Sequence, residues 1–498
     1  MAVPKKLKIL FVTSELFPFV KTGGLADVSN SLPQVLHELG HEVRIMVPKY
    51  GAIDSRKFKI HDVVRLKDLT IPIGDKEVTF SIKSSFLPSP RVRVQIYFLE
   101  NNEYFGNRKS LYTDPITGDD YPDNDERFIL LNRAVFELIL KLGWVPDIIH
   151  INDWQCGLIP AYFKTIYANE PQFQTFNILF TIHNLSYQGI FPKSTFKKTG
   201  LPDELNSNDG VLQDGKFSFM KSGLMFAHYI NTVSESYAQE ISSVKEISGS
   251  LLPLLEKRKS DIFGLINGID YSVWNPEKDP FLSHHYSAKE LEGKMENKRE
   301  LVERFSLKFD PTVPVIGIIS RLYDFKGIDL VLEAFPEIMK KNVQVVLLGT
   351  GEKKYQTAFE NLSDKYADKF ACYIGFNDEL AHLIEAGADM YLMPSKFEPC
   401  GLNQMYSLVY GTVPVVRKTG GLADTVVRFD ETTEEGTGFV FENYNAKELM
   451  KELDRALSVY ENKKVWNKII KNGMKVDFSW QASAKRYVDL YKTILSGK

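Results

Sequence analysis

Short apolar runs alternate along this chain with longer stretches of helical periodicity. The runs fall at 7–12, 43–47, 92–98, 147–151, 178–182, 229–233, 262–266, 313–319, 343–348, 370–374, 389–393 and 413–416. Most are continuous rather than alternating, as in parallel strands covered on both faces. Between them, Leu25, Val28, Leu32, Leu36 and Leu39 keep helical spacing up to Gly40, and Ile328, Val331, Leu332, Phe335 and Ile338 do so up to Lys340 and Lys341. Pro33 and Pro336 predict a kink or restart in these two helices. Strand–helix alternation of this kind predicts an α/β protein with helices on both faces of parallel sheets.

Twelve strands in one sheet would be unusual, so the pattern predicts two sheets of about six. The best break lies at 260–270, after the polar stretch Glu256-Lys-Arg-Lys-Ser-Asp. The segment 480–495 reads as a last helix. The stretch 101–127 is rich in Asn, Asp, Gly and Tyr, and a loop that long in a compact domain is usually functional or mobile.

Composition narrows the function classes. The 498 residues are 44% hydrophobic and 25% charged, ordinary values for a globular chain. With 64 acidic and 61 basic residues the formal charge is −3, which leaves no electrostatic footprint for nucleic acid or an anionic membrane. Three cysteines, Cys156, Cys372 and Cys400, make neither a disulfide framework nor a Cys-x-x-Cys zinc pair. The basic start followed by an apolar run lacks a cleavage signature and reads as a first strand. No apolar stretch approaches the ~20 residues of a membrane span. The expected location is the cytoplasm.

The most informative feature is an internal repeat. Lys21-Thr-Gly-Gly-Leu-Ala-Asp27 recurs identically as Lys418-Thr-Gly-Gly-Leu-Ala-Asp424, each time after a strand and before a helix. A helix N-terminus presents unpaired N–H groups, and glycine permits close approach, so Gly23-Gly24 and Gly420-Gly421, with Thr419 before the second pair, are candidates to hold a phosphate or a sugar hydroxyl. Neither copy is a dinucleotide or Walker loop. Arg321 and Lys326 follow the run 313–319, at the strand edge where ligands of parallel sheets sit. Two cations there suit a diphosphate. Glu398 and Cys400 lie in Pro394-Ser-Lys-Phe-Glu-Pro-Cys-Gly, between a strand and a helix. The carboxylate could accept sugar hydroxyls or cap the helix; the cysteine reads best as packing. His183 and Asn184 end one strand, and His150 and Asp153 end another. A metal site would need His150, Asp153 and His183, whose spacing matches no ligand pattern; sugar contacts from His183 and Asn184 fit better, with His150 packed inside and Asp153 as a local cap. Asn267-Gly268 reads as a turn at the domain boundary. There is no Gly-x-Ser-x-Gly elbow for acyl transfer.

These segments together resemble the bacterial glycogen synthase and plant starch synthase family. The resemblance is carried by Lys21-Thr-Gly-Gly-Leu-Ala-Asp-Val28, Asp153-Trp-Gln, Thr181-Ile-His-Asn-Leu-Ser-Tyr-Gln-Gly189, Asn267-Gly-Ile-Asp270 with Trp274-Asn-Pro276, Ser320-Arg-Leu, Lys326-Gly327, Ala386-Gly-Ala-Asp389, Phe397-Glu-Pro-Cys-Gly-Leu402 and Val415-Val-Arg-Lys-Thr-Gly-Gly. They span nearly the whole chain in family order. The resemblance implies a type B glycosyltransferase fold: two Rossmann-like domains around a deep cleft, 1–262 on the acceptor-glucan side and 263–478 on the nucleotide-sugar side. The last helix, 479–498, returns to the first domain.

It also implies transfer of glucose from ADP-glucose to the non-reducing end of an α-1,4-glucan with retention, without metal or other cofactor. Lys21, Gly23 and Gly24 then contact the donor diphosphate, with Asp27 in support. Arg321 and Lys326 stabilise departing ADP. Glu398 positions the donor glucose beside Cys400 and Gly401. His183 faces the reacting carbon, Asn267 is a second glucose contact, and Asp153 and Tyr121 are further cleft residues. Phe325 stands where the family usually has glutamine, Lys396 where it has arginine, and Tyr406 where many retaining relatives of this fold carry a second glutamate. A UDP-glucose-using relative and a catalytically inactive glucan-binding homologue are the alternatives, and the oligomeric state is not legible.

Overall fold

The computed structural model describes residues 6–173 and 176–496; the basic lead-in at Met1–Lys5 lies outside them. The chain divides into two compact units. One holds the chain up to Val233, Ala238–Leu265 and the segment from Trp480 on; the other holds Ser234–Tyr237 and Ile266–Ser479. Beyond the short excursion of Ser234–Tyr237, the chain passes into the second unit after Leu265 rather than after residue 262, because the strand Ile262–Gly264 still pairs with Tyr229–Thr232.

In the first unit, seven strands run parallel in the order Ile262–Gly264, Tyr229–Thr232, Asn177–Ile182, Ile148–Asn152, Lys8–Val12, Glu42–Pro48 and Gln95–Glu100. The sheet continues past Gln95–Glu100 through an antiparallel extension, Lys76–Phe86, His61–Asp62 and Leu69–Ile73, to reach ten strands rather than six. That extension alternates buried and exposed positions instead of forming a continuous apolar run, which is the antiparallel signature. A small antiparallel sheet of Ile190–Phe191, Leu212–Gln213 and Lys216–Ser218 sits apart.

In the second unit six strands are all parallel, in the order Phe370–Ile374, Gln344–Gly351, Val315–Leu322, Met390–Met393, Val413–Arg417 and Phe439–Phe441. Its core is strongly aromatic, with Phe335, Phe359, Phe370, Phe439 and Trp466 buried together with the aliphatic strand residues. Burial of side chains of this size contributes roughly 1.5–3 kcal/mol each.

The helices Gly24–Glu38 and Ile328–Ile338 each run through their proline without being broken. The last helix, Trp480–Ser496, packs in the first unit against Gly24–Glu38. A buried polar chain fixes it there. His150 Nδ1 lies 2.7 Å from the Tyr491 hydroxyl and its Nε2 2.6 Å from Thr181 Oγ1, Thr181 donates to Asn231 Oδ1, and Asn231 Nδ2 donates to the Tyr487 hydroxyl at 3.3 Å. Burial pushes the His150 imidazole down to about 3, so the ring is neutral and can accept at one nitrogen while donating at the other. No helix among the described residues is long and apolar enough to cross a membrane.

Candidate functional site

The second unit gathers its chemistry at the carboxyl ends of its parallel strands, where such sheets bind ligands. Val315–Leu322 carries Arg321, and the turn that follows ends in Lys326. Met390–Met393 leads into the loop bearing Glu398. Lys326 Nζ donates to Glu398 Oε2 at 2.6 Å, and Ser395 Oγ donates to the same oxygen at 3.0 Å. The carboxylate is therefore held by an ammonium and a hydroxyl, not by helix N–H groups. Arg321, Lys326, Glu398, Gly401, Leu402 and Asn403 line a cavity of about 200 Å³. Asn403 is fixed by donating to the Ile319 carbonyl and the Tyr391 hydroxyl.

The second glycine copy serves this loop by packing. Gly421 donates its N–H to the Glu398 carbonyl at 3.0 Å. A Cβ on Gly420 would sit 2.0 Å from the Glu398 carbonyl oxygen, and one on Gly421 1.9 Å from that of Cys400. Gly420 also has φ +41°, and Thr419 beside it is buried. Gly401, at φ +71°, has no room for a Cβ beside the Gln404 amide. Cys400 is a buried packing residue: burial pushes its thiol up to about 12, although the Asn267 N–H donates to it. Asn267 is itself buried, and its Oδ1 has no hydrogen-bond partner. An orphaned buried acceptor costs stability unless something satisfies it.

Tyr406, eight positions after Glu398, is part of an aromatic stack. Its ring stacks on Trp274 at 3.8 Å, and the other face of Trp274 stacks on His382 at 3.8 Å.

In the first unit the same heptapeptide is handled differently. Gly24–Glu38 begins inside it, and a Cβ on Gly23 would meet nothing within 4 Å. Glu15, which the strand pattern did not single out, is buried and clamps the loop. Its Oε2 accepts the N–H of Thr22 at 2.6 Å and of Gly23 at 3.2 Å, while its Oε1 takes the Thr22 hydroxyl and the Tyr112 hydroxyl, the latter at 2.9 Å. A carboxylate at a helix N-terminus also compensates the positive end of the helix dipole. Lys21 pairs with Asp27 at 2.9 Å, on the surface. Tyr121 is set back, 7% exposed, with the guanidinium groups of Arg108 and Arg127 4.7 and 5.1 Å from its ring. In this loop it is Tyr112 that reaches Glu15. The sequence signal for Glu15 was a lone acid within the apolar stretch around 7–20.

Asp153, at φ +54°, accepts the N–H groups of His183 and Asn184. It thereby joins the ends of Ile148–Asn152 and Asn177–Ile182. His183 Nε2 lies 2.9 Å from Asn152 Oδ1, and Asn152 Nδ2 donates to the Val12 carbonyl, so the amide orientation makes Nε2 the protonated nitrogen. Burial pushes His183 down to about 3, and its ring is neutral. Asn184 Oδ1 is engaged by the Ser186 N–H.

Burial pushes the Asp153 carboxyl up to about 7 against the two N–H bonds, which favour the anion. A raised carboxyl pKa means that the folded state binds more protons than the unfolded one between the ordinary value of 3.8 and about 7, so this group lowers stability as pH rises through that window. Asp153→Asn is expected to remove that slope. Thermal melts from pH 4.5 to 7.5 check it, and an unchanged slope would contradict the assignment.

The strand edge of the second unit holds one more feature. Arg321 pairs in register with Thr350, and Gly349 with Ile374, so Phe376 lies just past the same edge. It is 82% exposed, an apolar side chain at the edge that carries Arg321.

A parallel α/β sheet with a lysine–carboxylate pair and, at the same carboxyl edge, a guanidinium that no carboxylate among the described residues pairs with suits activated, phosphate-bearing donors. The family model "Glycosyl transferases group 1" matches residues 300–476, and sucrose-phosphate synthase from Thermosynechococcus elongatus shares the fold at TM-score 0.60 and 17% identity over 99% of this chain and 100% of that one. The protein is a glycosyltransferase. The model "Starch synthase catalytic domain" matches residues 8–257. Glycogen synthases from Anaeromyxobacter dehalogenans and Thermosipho africanus are 44% and 43% identical, over 99% and 98% of this chain and 100% and 99% of theirs. The catalytic domain of Starch Synthase IV from Arabidopsis thaliana, solved with ADP and acarbose, superposes at TM-score 0.86 with 31% identity, covering 99% of this chain and 100% of that one. The chain belongs to the glycogen synthase and starch synthase family, and its function is that of a glucan synthase.

Proposed function

We propose that this enzyme transfers glucose from ADP-glucose to the non-reducing 4-hydroxyl of an α-1,4-glucan with retention at the anomeric carbon, in the cytoplasm. The observation that carries the reading is the Lys326–Glu398 pair facing the same cavity as Arg321. The second unit handles the donor: Arg321 and Lys326 meet the diphosphate, Glu398 and the unsatisfied Asn267 Oδ1 meet glucose hydroxyls, and the exposed Phe376 ring meets the base. The first unit handles the glucan, with neutral His183 at the reacting carbon and Lys21 with the Gly23–Gly24 turn as its contribution to the diphosphate. The ADP and acarbose bound to the Arabidopsis relative support both halves.

As the C1–O bond breaks, its electron pair leaves with ADP, and charge grows on the β-phosphate. Cations already aimed at that oxygen lower the barrier because they need no reorganisation. The acceptor hydroxyl attacks from the same face and gives its proton to the departing phosphate. Lys326 and Ser395 both engage Oε2 of Glu398, and that carboxylate is assigned to glucose hydroxyls rather than to the anomeric carbon. The roles assigned to Arg321 and Lys326 require no metal.

Incorporation of labelled glucose into glycogen primer tests this directly. ADP-glucose is expected to outpace UDP-glucose, and the product to be fully degraded by an exo-acting α-1,4-glucosidase. Equal or faster turnover of UDP-glucose would overturn the donor assignment, and absence of incorporation with either would overturn the activity.

A further inference from the structure

Arg321 and Lys326 are held in different ways. Lys326 is paired with Glu398. Among the described residues no carboxylate pairs with Arg321, whose side chain is exposed. What borders its guanidinium is aromatic. The guanidinium carbon lies 5.9 Å from the Tyr323 ring centroid and 5.7 Å from that of Phe325. The two rings are nearly parallel, 9° apart in plane and 5.7 Å between centroids. The Lys326 ammonium lies 5.8 Å from the same Phe325 ring. The backbone beneath the ring is anchored too, since the Phe325 carbonyl accepts the Lys396 N–H at 2.9 Å, two residues before Glu398. Phe325 thus joins the cation-bearing turn to the carboxylate-bearing loop.

A π face attracts a cation without cancelling its charge, whereas a carboxylate in the same place would neutralise it. We infer that Phe325 is a positioning residue for the donor diphosphate: its ring orients Arg321 while leaving the guanidinium's full charge available to a nucleoside diphosphate. This rests on the reading of Arg321 as a diphosphate ligand.

The experiment titrates the full-length enzyme with ADP, for the wild type, Phe325→Leu, Phe325→Tyr, Arg321→Ala and the double variant Arg321→Ala/Phe325→Leu, and sets the affinities beside KM and kcat. One exposed cation–π contact corresponds to roughly a five-fold change in affinity. Phe325→Leu is expected to weaken ADP about five-fold and to raise KM for the nucleotide sugar more than it lowers kcat. Phe325→Tyr is expected to stay within about two-fold of wild type, because it keeps the ring. The double variant is expected to bind ADP no more weakly than Arg321→Ala alone, as for residues acting through one another. Wild-type ADP affinity in Phe325→Leu, or additive losses in the double variant, would overturn the inference. Wild-type ADP affinity in Arg321→Ala would instead overturn the diphosphate reading beneath it, whatever Phe325→Leu does.

Discussion

Replacing Lys326 with alanine is expected to lower kcat by about two to three orders of magnitude while KM for the nucleotide sugar moves only a few-fold. The ammonium matters most when the leaving diphosphate gains charge, and removing one preorganised donor of that kind costs roughly 3–4 kcal/mol in the transition state. The geometry adds a second effect. Glu398 is 5% exposed, and without Lys326 it keeps Ser395 as its partner on that oxygen. Breaking a fully enclosed pair by removing one member costs about 3–5 kcal/mol. Here the lysine side chain is 17% exposed, so a loss nearer ~2 kcal/mol is expected. Adding Glu398→Gln to Lys326→Ala should recover much of the melting temperature and none of the turnover. Steady-state kinetics with thermal melts of the wild type and both variants separate the roles. A Lys326→Ala enzyme altered only in KM would remove the leaving-group role.

The second large effect concerns the twin heptapeptides. Gly421→Ala is expected to cut kcat/KM by about a hundred-fold or more and to lower stability by several kcal/mol, toward or beyond the ~1–3 kcal/mol usual for overpacking. Its Cβ would overlap the Cys400 carbonyl oxygen, which is backbone and cannot swing aside, so the Glu398 loop must move. Gly23→Ala, at the equivalent glycine pair of the first copy, meets open space. It is expected to leave the melting temperature unchanged, so any rise in KM reads the closeness of a ligand there. Equal destabilisation by both substitutions would contradict the difference between the two copies.

Much of the fold was legible because parallel strands are continuous apolar runs: every run marked in the sequence became a strand, within a few residues at each end. Phe439–Phe441 escaped because three residues give no periodicity. The hairpin arms Leu69–Ile73 and Lys76–Phe86 escaped because their alternation is broken by the Gly74–Asp75 turn and by polar residues at half-buried positions. For the site, the rule that ligands sit beyond strand ends located Arg321, Lys326, Glu398 and His183 individually. It could not join Lys326 to Glu398, 72 positions apart, since that pairing is made by the neighbouring strands Val315–Leu322 and Met390–Met393. Nor could identical heptapeptides reveal that one packs against a backbone loop while the other is clamped by Glu15. That difference lies wholly in what surrounds them. The partnership of Tyr112 with Glu15 was illegible for the same reason, since nothing in that polar stretch marks which of its tyrosines folding turns toward the acid.

The docking of Trp480–Ser496 onto the first unit bears on how the molecule is made. A ribosome releases the first 265 residues long before this helix exists, so the nascent first unit lacks the Tyr491 partner of His150 and the cover over Gly24–Glu38. The first unit therefore waits, incompletely packed, until the second unit has been translated and Trp480–Ser496 has followed it.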